Sequence, residues 1–262
     1  METLWFYIVA VMIAIYVVLD GFDLGTGVLH LFVARTDSER RTVLQSIGPV
    51  WDGNEVWLLA GGGALVLAFP RLYASAFSGF YLPLMMVLWL LILRAISIEF
   101  RSHLDSPVWR PFWDVVFSVA SLLLAVFLGA ALGNVVRGVP LGADGYFFTP
   151  LWTSFGIRGS ELGILDWYTV TVGVTSLLAL TYHGAMWVIL KTEGAIRDRA
   201  KHVAGLAWPL LLLFVVLVTV MTFSIQPQVS ERINGNPASY IFPLAAVLGI
   251  LASRRFMGQG RE

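Results

Sequence analysis

Seven stretches of this chain are long and apolar enough to cross a bilayer, and that repetition limits the fold more than any motif does. The first shows the pattern: the sixteen residues from Leu4 to Leu19 carry no charge. About 20 apolar residues in helical form match the ~30 Å hydrocarbon core of a membrane. The stretches cover approximately 4–33, 51–69, 78–99, 112–135, 166–190, 204–224 and 238–253. None alternates with period two, so they read as helices rather than barrel strands. The expected fold is all-α: a polytopic transmembrane helix bundle of about seven spans. It forms one membrane domain over 1–262, with a first four-helix bundle at 1–135 and a second, incomplete one at 166–262.

Composition supports this and excludes much else. Charged residues are 13% of the chain and mean hydropathy is +0.78, whereas a soluble domain carries about a quarter charged residues. Net charge is zero without a long basic or acidic block, which argues against nucleic-acid binding. Cysteine is absent, so disulfides, thiolate metal sites and cysteine nucleophiles are excluded. The first apolar run lacks a basic leader and continues into a polar segment, so no cleavable signal is expected. Trp5, Trp57, Trp89, Trp109, Trp113 and Trp152 fall near run ends, as interfacial aromatics do.

Basic residues set the orientation. Odd-numbered connections and the tail hold Arg35, Arg40, Arg41, Arg101, Arg110, Lys191, Arg197, Arg199, Lys201, Arg254, Arg255 and Arg261. Even-numbered connections hold Arg71, Arg137, Arg158 and Arg232. Twelve against four places the N-terminus outside and the C-terminus in the cytoplasm. The long fourth connection, about 136–165, is rich in Gly, Pro and aromatics and reads as an ordered outer cap. Pro83, Pro209 and Pro243 read as kinks, and Gly61, Gly62 and Gly63 as packing.

Charges inside the spans carry the functional signal. Asp20 and Asp23 lie i,i+3 on one face of the first helix, and His30 continues that stripe. Asp52 and Glu55 repeat the spacing in the first turns of the second helix, at the same depth. The third span delivers Arg94, then Glu99 and Arg101, and the fifth delivers Tyr182 and His183. An ionised group in hydrocarbon costs ~2.5–3.5 kcal/mol on insertion scales. Four acids cannot all be neutralised by one arginine, so some must be protonated, hydrated or matched by a partner. Simpler roles compete: Asp52 and Glu55 also suit helix N-terminal capping, Glu99 and Arg101 suit the interface, Arg94 suits a structural ion pair, and each His suits a helix contact.

The motifs D-G-F-D-L-G, E-R-R, W-D-G-N-E-V-W-L, G-G-G-A-L, A-F-S-G-F-Y, L-R-A-I-S-I-E-F-R-S, G-N-V-V-R-G-V-P and T-Y-H-G-A-M-W-V-I-L-K-T-E-G occur in order up to about residue 200. In these the chain resembles subunit II of cytochrome bd-type quinol oxidases, including the cyanide-insensitive branch. The resemblance implies a multi-pass subunit in the bacterial cytoplasmic (inner) membrane. Its partner would be subunit I, which holds haems b and d and oxidises quinol while reducing oxygen, with a small single-helix accessory subunit as a further partner. This chain would hold no haem and no metal, would not be catalytic alone, and can take a quinone as a structural lipid. Carried over by motif, Asp20, Asp23, Asp52 and Glu55 are proton-path candidates, supported by Trp51, Asn54, Arg94, Glu99 and His183. Family members continue for about two more helices than this chain does.

Two other readings compete. A proton-coupled transporter would place its substrate in broken helices near the midplane, and no interrupted helix pair is evident in the sequence. A b-type cytochrome would need facing axial ligands, for which His30 and His183 are the pair to name, with Met12 or Met186 as substitutes.

Overall fold

The structure, a computed structural model, describes residues 1–156 and 162–258. Arg158 and Arg261 of the charge count lie outside the described residues. The regular elements of the described residues are all helices, and their only β feature is an isolated bridge between Trp152 and Leu165. The helices are α1 (Glu2–Val33), α2 (Asp37–Ile47), α3 (Trp51–Ala68), α4 (Pro70–Gly79), α5 (Tyr81–Phe100), α6 (Trp109–Arg137), α7 (Trp167–Lys191), α8 (Gly194–Ile225), α9 (Pro227–Gly235) and, after a 3-10 turn at Pro237–Tyr240, α10 (Ile241–Gly258). Six are long and apolar enough to cross a membrane, and α3 with α4 forms one bent candidate span. The protein is therefore a multi-pass membrane protein.

Helix α1 is the central post. It packs on α3, α6 and α7, while α5 packs on α6 and α8 on α7. The α1–α7 contact is made backbone to backbone. A Cβ added to Gly25 would lie 1.9 Å from the Leu180 carbonyl oxygen, and one on Gly184 would lie 2.3 Å from the Gly25 carbonyl carbon. Close approach of this kind is how membrane helices gain packing without a hydrophobic driving force. From Asp20 to His30 every residue of α1 is buried, whereas most of its N-terminal half is exposed.

The short helices α2, α4 and α9 escape the apolar-run criterion. Helix α2 is polar, and begins with a capping box in which Thr36 accepts from the Glu39 amide and Glu39 accepts from the Thr36 amide. Val43 and Ile47 anchor its inner face. Helix α4 turns 119° from α3 at Phe69, where Pro70 opens a new first turn. The expectation of no interrupted helix pair is thus corrected. The proline reading also changes: Pro209 sits inside α8, but Pro83 and Pro243 fall in the first turns of α5 and α10, where proline is tolerated.

The connection after α6 folds over the bundle end. The Phe147 ring is buried against Gly79, and Ser75 donates to the Gly145 carbonyl. Arg137 and Asp166 pin its two ends together. We call this the loop end, and the opposite end, which carries α2, the α2 end.

Candidate functional site

Asp20, Glu55 and Arg94 arrive from three helices and meet. Arg94 is 1% exposed; its Nη2 donates to Asp20 Oδ1 at 2.6 Å and its Nη1 to Asp20 Oδ2 at 3.1 Å. Nη1 also donates to Glu55 Oε1 at 2.5 Å. The Asp20 contact is a two-pronged carboxylate–guanidinium pair, the strongest geometry available to arginine. Asp23, one turn on, is fully buried and accepts from Asn54 Nδ2 at 2.7 Å, while its Oδ1 has no hydrogen-bond partner. Asn54 also donates to the Leu19 carbonyl. The cluster therefore holds three carboxylates and one guanidinium, with one carboxylate oxygen unmet.

Exposure is graded across these acids. Asp52 lies on the surface of α3. Glu55, one turn deeper, has a side chain 22% exposed, and Asp20 and Asp23 are at 0%. Val50 at the α3 N-cap offers no side-chain cap. Glu55 instead turns inward to Arg94, so capping does not account for it. Trp51 is half-buried beside this series, and Tyr16, a turn before Asp20, is buried on the same stripe.

Other residues singled out in the sequence stand apart. The Glu99 side chain is exposed, and only its backbone carbonyl is used, by His103. His183 hydrogen-bonds the Val18 carbonyl at 3.1 Å and stacks near Phe22, on the α7 side of α1. His30 bonds Asp114 instead, at 2.7 Å. Positions 18 and 30 are ~18 Å apart along α1 at ~1.5 Å per residue. His30 and His183 therefore do not face one pocket, and the axial pair required by the b-type cytochrome reading is not formed. Among the described residues no group of three or more His, Cys, Asp or Glu side chains is placed to hold a metal ion.

A second charged network centres on Asp114, which the sequence expectations do not include. Asp114, fully buried near the start of α6, accepts from His30 Nε2, from Arg40 Nη1 at 3.0 Å, and from Arg101 Nε at 2.5 Å. Arg101 is 1% exposed, which corrects its reading as an interfacial residue. Its Nη2 reaches on to Asp37 at 2.7 Å, which Arg110 and Arg41 also approach. Burial opposes ionisation of Asp37, but hydrogen bonding and charge from Arg101, then Arg110 and Arg41, hold its carboxyl below the usual range. Glu39 is likewise held low, first by the Arg35 amide and then by Arg199 at 2.5 Å. The signal was present: Asp114 is an acid inside an apolar run, the argument that singled out Asp20.

This arrangement defines a class: a polytopic helical membrane protein with a buried, incompletely neutralised acid cluster close to one end of the bundle. Its relatives name the class further. Residues 1–262 match the family described as cytochrome bd terminal oxidase subunit II. The chain is 38% identical over 283 residues to a probable cytochrome oxidase subunit 2 of Haemophilus influenzae, covering 98% of this chain and 73% of that protein. It is 35% identical over 222 residues to cytochrome bd-I ubiquinol oxidase subunit 2 of Escherichia coli, covering 85% and 55%. It is 34% identical over 250 residues to cytochrome bd ubiquinol oxidase subunit 2 of Bacillus subtilis, covering 95% and 70%. The chain belongs to the cytochrome bd terminal oxidase subunit II family, a class of subunits of an oxidoreductase complex. It spans between 55% and 73% of the length of these three relatives.

Proposed function

We propose that this chain works with a haem-bearing subunit I in a bacterial inner-membrane quinol oxidase, and that its acid cluster brings protons toward the site of oxygen reduction. The observation carrying this is the graded series from surface to interior: exposed Asp52, partly exposed Glu55, then buried Asp20 and Asp23 around a single Arg94. A carboxylate costs several kcal/mol to bury unless it is paired. Here Asp20 takes the best of the arginine, which leaves Glu55 and Asp23 less completely neutralised and able to exchange protons. Arg94 keeps the cluster from rejecting charge altogether.

The orientation with the α2 end in the cytoplasm supports uptake from that side. The connections at that end hold most of the basic residues. The transporter reading gains nothing from the bend at Phe69, because Asp52 and Glu55 lie at the opposite end of α3. An apolar groove of about 260 Å³ lined by Phe223, Tyr240 and Leu244 also lies at the loop end, far from the acids.

The test uses the assembled oxidase in vesicles. Replacing Asp23 by Asn and Glu55 by Gln together should slow quinol-driven oxygen uptake and the accompanying proton uptake. Unchanged rates of both would reject the path. Purification of the tagged chain without any haem-bearing partner would reject the proposed pairing with subunit I.

A further inference from the structure

Four buried polar atoms on one seam that starts at the acid cluster have no hydrogen-bond partner: Asp23 Oδ1, Thr26 Oγ1 and His30 Nδ1 on α1, and Ser121 Oγ on α6. All four residues are 0% exposed. Their spacing of three and four residues along α1 puts Asp23, Thr26 and His30 on one stripe. The register with α6 is fixed at three points. Asp114 meets His30, Ser118 donates to the Val28 carbonyl, and Ser121 Oγ occupies the space a Gly27 side chain would fill, 2.0 Å from a Cβ built there. Ser121 therefore enters the seam between Asp23 and His30 because position 27 is glycine.

The chemistry of the four atoms is complementary. A carboxylate only accepts, so in the neutral imidazole the contact with Asp114 requires the proton on Nε2 and leaves Nδ1 as an acceptor. Asp23 Oδ1 is a second acceptor, and the two hydroxyls both donate and accept. A buried threonine or serine in a helix usually turns back onto the carbonyl four residues earlier; Thr26 and Ser121 do not. Buried polar groups grouped in this way are where proteins hold internal water.

We propose that this seam binds ordered water and forms a branch of the acid cluster that ends on His30. The proposal rests on the proton-path reading and extends it: each water passes on one proton as it receives one, and His30 takes a proton at Nδ1 while keeping that on Nε2. The resulting imidazolium faces Asp114 from α6, whose Oδ1 it shares with Arg101 after α5 and whose Oδ2 takes Arg40 from α2. Helix α7 packs apolar Ala185 and Val188 against Leu29 and Val33, in one apolar cluster on either side of His30 in the α1 sequence. On the outer side of Asp114 lies a pocket of about 300 Å³, lined also by Asp37, Arg40, Asp105 and Arg110. His30 thus sits at the closed end of the branch, one ion-paired carboxylate away from that pocket.

The direct test is a high-resolution cryo-electron microscopy map of the assembled wild-type oxidase. Water density within hydrogen-bond reach of Thr26 Oγ1, Ser121 Oγ and His30 Nδ1 is expected. Thr26 bonded to the Phe22 carbonyl and Ser121 to the Phe117 carbonyl, with no density between, would overturn the proposal. The functional arm uses Thr26→Val, which preserves shape, alongside His30→Gln and Asp23→Asn. Thr26→Val should slow proton uptake severalfold with the haem spectrum intact, and His30→Gln should alter the pH profile of oxygen uptake. If neither does so while Asp23→Asn still slows uptake, the branch is wrong and the main path stands. If Asp23→Asn is also without effect, the path itself fails, and the branch with it.

Discussion

Two buried charged sites, at opposite ends of the bundle, are built on opposite principles. At the loop end Arg137 faces one carboxylate, Asp166, and every guanidinium nitrogen has a partner: Nη1 on Asp166 and the Gly163 carbonyl, Nη2 on Asn134 at 2.7 Å, Nε on the Gly138 carbonyl. Asp166 also caps α7 through the Thr169 amide. Nearer the α2 end, Arg94 faces Asp20 and Glu55 with Asp23 beside them, and both Arg94 Nε and Asp23 Oδ1 lack partners. The first site is closed and charge-matched, as a fastening should be. The second carries surplus acid and unmet atoms, and the proposed proton path rests on that imbalance.

The largest expected effect comes from the closed site. Arg137→Met strands Asp166 in the interior, and losing one partner of a buried pair costs about 3–5 kcal/mol. Loss of assembled complex on detergent gel filtration is expected, and pairing it with Asp166→Asn should restore part of the yield. Normal assembly of Arg137→Met would erase the distinction between the two sites.

At the open site the effect should fall on rate before stability. Asp20→Asn removes the main counter-charge of Arg94, and about a tenfold loss of turnover is expected, equivalent to ~1.4 kcal/mol in barrier. Glu55→Gln should cost less, about threefold, or ~0.7 kcal/mol, because Asp20 still holds Arg94. Both are read as oxygen uptake per haem, so that loss of assembly is separated from loss of rate.

Smaller effects lie at the α2 end. Glu39 is held below its ordinary value of 4.5, first by the Arg35 amide and then by Arg199, so these contacts stabilise the fold above that pH and weaken as pH falls through the lowered value. Glu39→Gln should lower thermal stability in detergent at neutral pH and leave it nearly unchanged in acid. Asp52 is exposed and outside the Arg94 contacts. Asp52→Asn should change turnover less than about twofold and stability by under ~0.5 kcal/mol.

The legible part of this molecule was the part governed by the bilayer. Uncharged runs mark the spans, and the cost of burying charge singles out Asp20, Asp23, Glu55 and Arg94. Helix α2 was not legible because its polar sequence carries no apolar run, and its position depends on Arg101 and Arg199 from distant elements. Asp114 is hard to read from sequence because it lies two residues inside the 112–135 run, beside Trp109 and Trp113, where an acid also suits the interface. Arg137 was counted as a marker of topology, whereas its buried contacts with the 163–166 segment depend on how the long loop returns. Asp52 shares Glu55's spacing, but α3 turns it outward, a difference of azimuth that i,i+3 spacing leaves open.

Infrared difference spectroscopy of the working oxidase tests the central claim most directly. If the cluster exchanges protons, a carboxylic-acid carbonyl band should appear or vanish during turnover and be absent from the Asp23→Asn or Glu55→Gln enzyme. A wild-type spectrum with no carboxylic-acid change, or one that both variants reproduce in full, would mean that these acids only hold Arg94 in place.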